Sequence, residues 1–339
     1  MMITSCEEEV DVNADWENIP VVYGLLNQND SVHYIKLNKA FLGNASAINM
    51  AQESDSLFYD DAEVYINQII NGQINKRLNF VAVDTIPKPE GLFANDRNTI
   101  YVYEGKIQAL NNSGIPYTYE LHVIIPSADK HCTSSIELIK DGPTDAHIID
   151  PTPIREIALN KYDIGNIVKA IYNTGENGRI YQMVFRFYYL EVTAEGDTIK
   201  DCPPIEIYGP VKTVSGAGNH IVGLEFPVEK FYDILLDSIH EKENVTRLVR
   251  YPKSVSFTLY AADENFQIYS SLSEPASGAV QEKPFFTNIT NGVGLFAARF
   301  TTQTFNKVSK PTISTLANDT ITAHLNFADL DNPYYLSKK

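Results

Sequence analysis

Few residues in this chain are of a type and spacing that could do chemistry, and the cysteines come first. There are three, Cys6, Cys132 and Cys202. Cys6 ends the run Ile3-Thr4-Ser5-Cys6, a branched apolar residue three positions before a cysteine with small residues between. That order fits the cleavage site of a lipoprotein signal peptidase, which needs small side chains, and the thiol then receives a diacylglycerol. Only Met1 and Met2 precede Ile3, so this reading expects a signal peptide whose start has been trimmed. The plain alternative is an ordinary cysteine. With Cys6 lipidated, Cys132 and Cys202 remain, and in an exported protein they could form a disulfide. Two separate free thiols are the competing reading, because sequence does not give the Cα separation that a bridge requires.

The seven histidines, His33, His122, His131, His147, His220, His240 and His324, are scattered. None pair at i, i+2 or i, i+4, so no zinc helix or metalloprotease motif is present. Asp60-Asp61 with Glu63, and Asp263-Glu264, could serve as an acid–base pair or as calcium ligands. A glycosidase needs two carboxyls at a set distance in space, and neither cluster has the alternation of a calcium loop. In a chain of net charge −16 a solvated surface accounts for both. No G-x-S-x-G elbow and no phosphate-binding G-x-x-x-x-G-K occurs. Gly216-Ala217-Gly218 reads as a turn between strands. The expectation is therefore a protein that is not an enzyme and holds no cofactor or metal.

The elements that must position these residues read as mainly β. At 339 residues, 44% hydrophobic and 21% charged, the chain has ample apolar material for one or two domains. Its acidity excludes nucleic acid as a partner. No apolar run approaches the ~20 residues of a membrane-spanning helix. Residues 1–18 read as the lipobox remnant and an acidic tether. Pro20–Leu26 and Ser31–Phe41 flank Asn27-Gln28-Asn29-Asp30 as a β-hairpin. Ala45–Gln52 suits a short helix. Strands follow at Ala62–Ile70, Leu78–Val83, Thr99–Leu110, Tyr117–Pro126 and Thr133–Ile139. The proline-bearing stretch Asp141–Arg155 is the expected boundary, giving domains over 19–145 and 146–339. In the second, Asn166–Tyr172 and Arg179–Val192 flank a turn-rich segment and read as a long hairpin. Tyr181, Met183, Phe185, Phe187 and Tyr189 share one strand face, which is core or, less simply, a sugar-stacking surface. Val228, Phe231, Tyr232, Leu235 and Ile239 recur at helical spacing after Pro227, predicting an amphipathic helix over 228–241. Strands at Val255–Ala261, Gly294–Thr301 and Thr320–Phe327 complete the set. The expected architecture is two antiparallel, immunoglobulin-like β-sandwiches with that one helix.

Two stretches carry a family resemblance. Ile19–Asn27 with Asp30–Phe41, and Asn288-Ile289-Thr290-Asn291-Gly292-Val293-Gly294-Leu295-Phe296, resemble the opening hairpin and closing motif of an uncharacterised family of Bacteroidetes-type surface lipoproteins. Members of that family are often encoded near TonB-dependent outer-membrane receptors. The resemblance implies a lipid-anchored β-sandwich at the outer membrane, displayed on the cell surface, and supplies no catalytic residues. Gly292 and Gly294 are expected to permit positive φ and close strand approach. The acidic run Glu7-Glu8-Glu9 resembles the export signal of such lipoproteins. Asp followed by Ser or Thr and an apolar residue resembles their O-glycosylation acceptor, which makes Ser31, Ser56, Thr85, Thr198 and Thr320 candidate acceptors. The same tripeptide also arises in turn-to-strand sequence.

Three functions compete on this reading. The first is a lipid-anchored envelope protein that binds a ligand or partner, accessory to an outer-membrane receptor. The second is a fimbria-like structural or adhesion subunit. Donor-strand assembly of such subunits requires cleavage after a basic residue near the N-terminus, yet the first basic residue here is Lys36, inside an expected strand. The third is a glycan hydrolase using Asp or Glu.

Overall fold

The computed structural model describes residues 18–40, 57–87, 91, 97–142, 156–160, 166–193, 199–273 and 285–336. The protein is mainly β, and the chain forms two compact units. The first comprises residues 1–138 and 265–298, the second 139–264 and 299–339. A single cut at 145/146 does not separate them, because residues 265–298 belong to the first unit. The sequence pattern could not announce that return, since nothing local distinguishes a strand that pairs nearby from one that pairs 270 residues away.

Unit 1 contains β1 (Ile19–Leu26), β2 (Val32–Ala40), β3 (Glu63–Ile70), β4 (Gln73–Val83), β5 (Ile100–Glu104), β6 (Thr118–Ile125) and β7 (Lys130–Glu137). It also takes the start of the longest strand, β18 (Val293–Val308). The ladder runs β18-β1-β2-β5-β4-β3-β6-β7. β1 and β2 form the expected hairpin, with Val22 opposite Leu37. β1 pairs with β18 in parallel, and every other neighbour on this path within the unit is antiparallel. β4 passes from β3 to β5 along its length, since Gln73–Phe80 face β3 and Val81–Val83 face β5. Thr133 and Thr290 exchange two backbone hydrogen bonds of 2.8 and 3.4 Å, which returns β7 to the segment just before β18. Alternate residues point into the core: Val22, Ile35, Leu37, Ile66, Tyr119, Leu121 and Phe296 are all buried.

The Asn-Gly motif makes this closure possible. The Asn288 side chain donates to the Phe296 carbonyl at 2.6 Å and accepts from its N–H at 2.9 Å. Gly294 has φ +124°, and a Cβ there would stand 1.9 Å from the Val22 carbonyl oxygen. Gly292 also lies against neighbouring backbone, 2.9 Å from Pro20 O by the same measure, but without positive φ. Asn291 supplies the left-handed residue instead, at φ 57°.

Unit 2 is built on β10 (Ile180–Phe187), β13 (Ile205–Tyr208) and β17 (Val255–Ala262) with the rest of β18. The order is β13-β10-β17-β18, all antiparallel, and β14 (Lys212–Thr213) also pairs with β10. β8 (Glu156–Ile157) pairs with β18 in parallel. β9 (Ile167–Asn173) does not form a hairpin with β10; it pairs with β15 (Ile221–Pro227) instead. That corrects the sequence expectation: the turn after β9 connects two sheets. The helix α1 (Val228–Ser238) follows directly, three residues shorter than expected, with Pro227 at its N-cap and Val228, Phe231, Tyr232 and Leu235 buried. Phe185 packs edge-on to Phe226 at 5.2 Å and to Phe231 at 6.3 Å, and Phe187 meets Phe231 at 5.2 Å. The face carrying Tyr181, Met183, Phe185, Phe187 and Tyr189 is thus core, each residue buried.

A small sheet of β12 (Ile199–Asp201), β11 (Tyr189–Thr193) and β16 (Val245–Val249) carries its own cluster of Leu190, Val192, Leu248 and Ala328. Two further helices, α2 (Glu264–Ser273) and α3 (Lys310–Asn318), lie where no helix is expected from periodicity. α3 starts at Ser309, whose hydroxyl accepts from the Thr312 N–H. The expected strand over Thr320–Phe327 is instead a turn and a 3-10 turn at Ala323–Leu325, keeping one bridge from Phe327 to Arg247. A short helix, α4 (Pro333–Leu336), ends the described chain.

Candidate functional site

The outward face of the β13-β10-β17-β18 sheet carries a connected polar network. Strand alternation puts Gln182, Arg186 and Tyr188 on the side opposite the aromatic core. The register sets Glu206 and Ser256 either side of Arg186, Tyr260 beside Gln182, and Gln303 beside Thr258. The Arg186 guanidinium donates to Glu206 Oε1 at 2.5 Å, to Thr258 Oγ1 at 2.8 Å and to the Tyr260 hydroxyl at 3.0 Å. Tyr208 donates to the other Glu206 oxygen at 2.5 Å. Gln303 Nε2 donates to Ser256 Oγ and Thr258 Oγ1, each at 3.1 Å.

Electrostatics keep this network charged. The Tyr208 hydroxyl hydrogen bond holds the Glu206 carboxyl below its usual range; partial burial opposes this, and Arg186 reinforces it. Glu206 is therefore a fixed acceptor already matched to a guanidinium, which does not suit a general acid. Two rings flank it in the open: Tyr208 is 54% and Tyr260 40% exposed. Planar polar groups framed by exposed rings can hold a hydroxyl-rich ligand by hydrogen bonds and stacking.

Elsewhere in unit 2, Ser215 Oγ lies 2.6 Å from His220 Nε2. Among the described residues no carboxylate pairs with that imidazole, so the third member of a hydrolytic triad is not provided there. An open cleft of about 450 Å³ is lined by Asn244, Thr246, Ala317, Asn326, Phe327 and Asn332. It has no charged group in its wall.

Unit 1 brings together two residues that sequence spacing keeps apart. His122 on β6 and His131 on β7 meet with Nδ1 and Nε2 3.0 Å apart. The tight turn through Pro126–Ala128, closed by Asp129 in the left-handed region, sets Ile124 opposite His131 and puts both rings on one face. Tyr65 stacks on His122 at 4.7 Å and 13°. Glu120 Oε1 stands 3.3 Å from His122 Nε2. The expected strands Tyr117–Pro126 and Thr133–Ile139 include His122 but stop short of His131; β7 begins earlier, at Lys130, and only that start brings the second ring into the hairpin.

The residues singled out from sequence are placed as follows. Cys6, Ser56 and Thr198 lie outside the described residues. Cys132 and Cys202 are both free thiols, so the disulfide weighed from cysteine arithmetic is not formed. Cys132 is buried in unit 1 and donates to the Asn291 carbonyl at 3.2 Å, a partner that its short strand environment supplies. Ser31, Thr85 and Thr320 are exposed outside helices and strands, which leaves their hydroxyls accessible. The carboxylates of the acidic clusters have separate duties. Asp60 pairs with Arg97, Glu63 with Arg77 and Glu264 with Arg179. Asp61 accepts from the hydroxyl and N–H of Ser127, which hold it below the usual carboxylate range. Among the described residues no group of three His, Cys, Asp or Glu is arranged to hold a metal ion.

No helix among the described residues is long and apolar enough to cross a membrane. No known family model matches this chain, and no curated protein matches it in sequence.

Proposed function

We propose that this chain is a non-enzymatic lipoprotein of the outer membrane, displayed at the cell surface through Cys6, that binds a hydroxyl-rich ligand such as a sugar. We place it in the family of Bacteroidetes-type surface lipoproteins that its hairpin and Asn-Gly motif resemble, acting beside a TonB-dependent receptor. The observation that carries the binding role is the polar face of the unit 2 sheet, where the part-buried Arg186–Glu206 pair is hydrogen-bonded to the hydroxyls of two exposed rings, Tyr260 and Tyr208. Its groups are held by one another before any ligand arrives, so little ordering cost falls on binding. The lipobox-like run at Ile3–Cys6 and the acidic segment after it support the anchor. Exposure of Ser31, Thr85 and Thr320 supports O-glycosylation at those positions.

The same proposal takes both units as β-sandwiches of the immunoglobulin-like kind. In unit 2 the packing of Phe185 against Phe226 sets the main sheet on β15, and in unit 1 the passage of β4 between β3 and β5 divides the ladder into two groups of strands.

Palmitate labelling of cells expressing the wild type and Cys6→Ala tests the anchor. Labelling and membrane retention are lost in the variant; unchanged retention would refute attachment through Cys6. A glycan panel probed with the wild type and with Tyr260→Ala tests the face. Binding should fall at least tenfold in the variant, and a panel that binds neither protein sinks the sugar assignment.

A further inference from the structure

We propose that His122 and His131 form a two-imidazole chelate for a borderline divalent transition ion, of the class Ni²⁺, Cu²⁺ or Zn²⁺, on the β6–β7 hairpin. This site is independent of the unit 2 face. Two nitrogens bound in cis to one ion at ~2.0–2.1 Å stand roughly 2.8–3.4 Å apart, the lower value for square-planar and the upper for tetrahedral geometry. The observed separation of His122 Nδ1 and His131 Nε2 is 3.0 Å, inside that interval.

A chelate also needs both facing nitrogens bare, and the surroundings provide for that. His122 Nε2 faces Asn67 Nδ2 at 3.2 Å and Glu120 Oε1 at 3.3 Å, so without an ion the Asn67 amide donates to Nε2 and the ring proton sits on Nδ1 toward His131; an ion displaces that proton to Nε2, where Glu120 accepts it once the Asn67 amide turns away. A carboxylate behind a ligating imidazole is the arrangement that fixes its tautomer and raises its basicity. His131 is exposed, so its proton can sit on Nδ1 toward water and leave Nε2 bare. Ion binding thus exchanges the hydrogen bond between the rings for two coordinate bonds, and the proton between them moves to an outer nitrogen.

The ring planes are held in advance. Tyr65 stacks on His122, and the Arg77 guanidinium covers Tyr65 at 3.5 Å while pairing with Glu63. The charged groups nearby are therefore Glu120 on β6, Glu63 on β3 and Arg77 on β4, two carboxylates against one cation. Burial lowers the His122 pKa, with His131 and Arg77 acting the same way and Glu120 opposing them. Two protein ligands leave the remaining positions to water, so the ion exchanges readily and is not needed for folding.

Calorimetric titration of Ni²⁺ into the full chain at pH 7.5 tests this. The wild type should bind one Ni²⁺ saturably, and the affinity should fall at least tenfold in His131→Gln and in His122→Gln. Glu120→Gln should weaken binding by about tenfold, the lower end of the usual effect of an outer-shell partner. His131 is exposed, so His131→Gln is the deciding variant, with circular dichroism confirming its fold. An isotherm unchanged in His131→Gln, or no saturable binding by the wild type, overturns the proposal.

Discussion

Arg247→Met should destabilise unit 2 by about 3 kcal/mol, and the structure says why the figure is near that size. The Arg247 side chain is only 3% exposed. Its guanidinium donates to Glu191 Oε1 at 3.1 and 3.2 Å, to the Leu325 carbonyl at 2.7 Å and to the His240 carbonyl at 3.0 Å. Met keeps much of the aliphatic stem, so the packing lost is small and the loss is polar. Removing one member of a buried pair costs about 3–5 kcal/mol, because the other charge is left unmatched. Lys242 remains on Glu191 at 2.8 Å, which places the cost at the lower end. For a unit of this size the melting temperature should fall by roughly 6–12 °C at ~2–4 °C per kcal/mol. Differential scanning calorimetry at pH 7 measures it. The double variant Arg247→Met with Glu191→Met should recover more than half of the loss, since replacing both charges by apolar groups is often nearly neutral. A single variant melting within 2 °C of wild type would refute the reasoning. The pair also sets a pH dependence. Burial raises the Glu191 carboxyl, but hydrogen bonds from Lys242 and Arg247 outweigh it and the net shift is downward. A lowered folded pKa gives stability that is present above the ordinary carboxylate value and lost as pH falls through the folded one. The gap between wild type and variant should therefore narrow in acid.

Two further outcomes follow from the backbone and the thiols. Gly294→Ala forces a Cβ to within 1.9 Å of the Val22 carbonyl at φ +124°, so β1 must shift and unit 1 should lose ~2–3 kcal/mol in urea unfolding. Gly72→Ala, at φ +76° with nothing within 4 Å, is the control and should cost ~1 kcal/mol; equal losses in the two would contradict the close-approach argument. Burial pushes the Cys132 thiol up to about 11. In a Cys6→Ala background a thiol reagent at pH 8 should therefore label Cys202 first and reach Cys132 only after denaturation. Fast labelling of Cys132 in the native protein would show that its burial is wrong.

The sequence pattern exposed the elements better than their partners. Alternation located β1 and β2, and the face of Tyr181, Phe185 and Phe187 followed from a period of two with bulky residues on each inward position. The helix after Pro227 was legible because Val228, Phe231, Tyr232 and Leu235 repeat at helical spacing. α2 was not, because none of its described residues is buried and no stripe marks it. α3 carries a local sign in Ser309-Lys310-Pro311, but the β-branched run Thr320-Ile321-Thr322 just beyond it suggested a strand that the turn built on Asp319 replaces. Pairing was illegible for a deeper reason. β9 joins β15 across 50 residues, and a hairpin with β10 would satisfy the local signals equally well. The candidate face of unit 2 inherits that limit: Arg186, Glu206, Tyr260 and Gln303 lie on four strands, and only their register makes them neighbours.

This bears on what the resembling motifs can mean. Asn288, Asn291, Gly292 and Gly294 are occupied with backbone: two reciprocal hydrogen bonds to Phe296, a left-handed turn, and a close passage against β1. Asn291 also donates to the His131 carbonyl at 3.0 Å, which ties the same motif to the strand bearing the histidine pair. A sequence sharing these residues would share the closure of unit 1, and with it the position of β7. It would not thereby share Arg186 or Tyr260, which belong to unit 2. Similarity in the Asn-Gly motif is therefore evidence about architecture. Under the proposed binding role, ligand choice is read instead from the exposed rings of Tyr208 and Tyr260 and from Arg186.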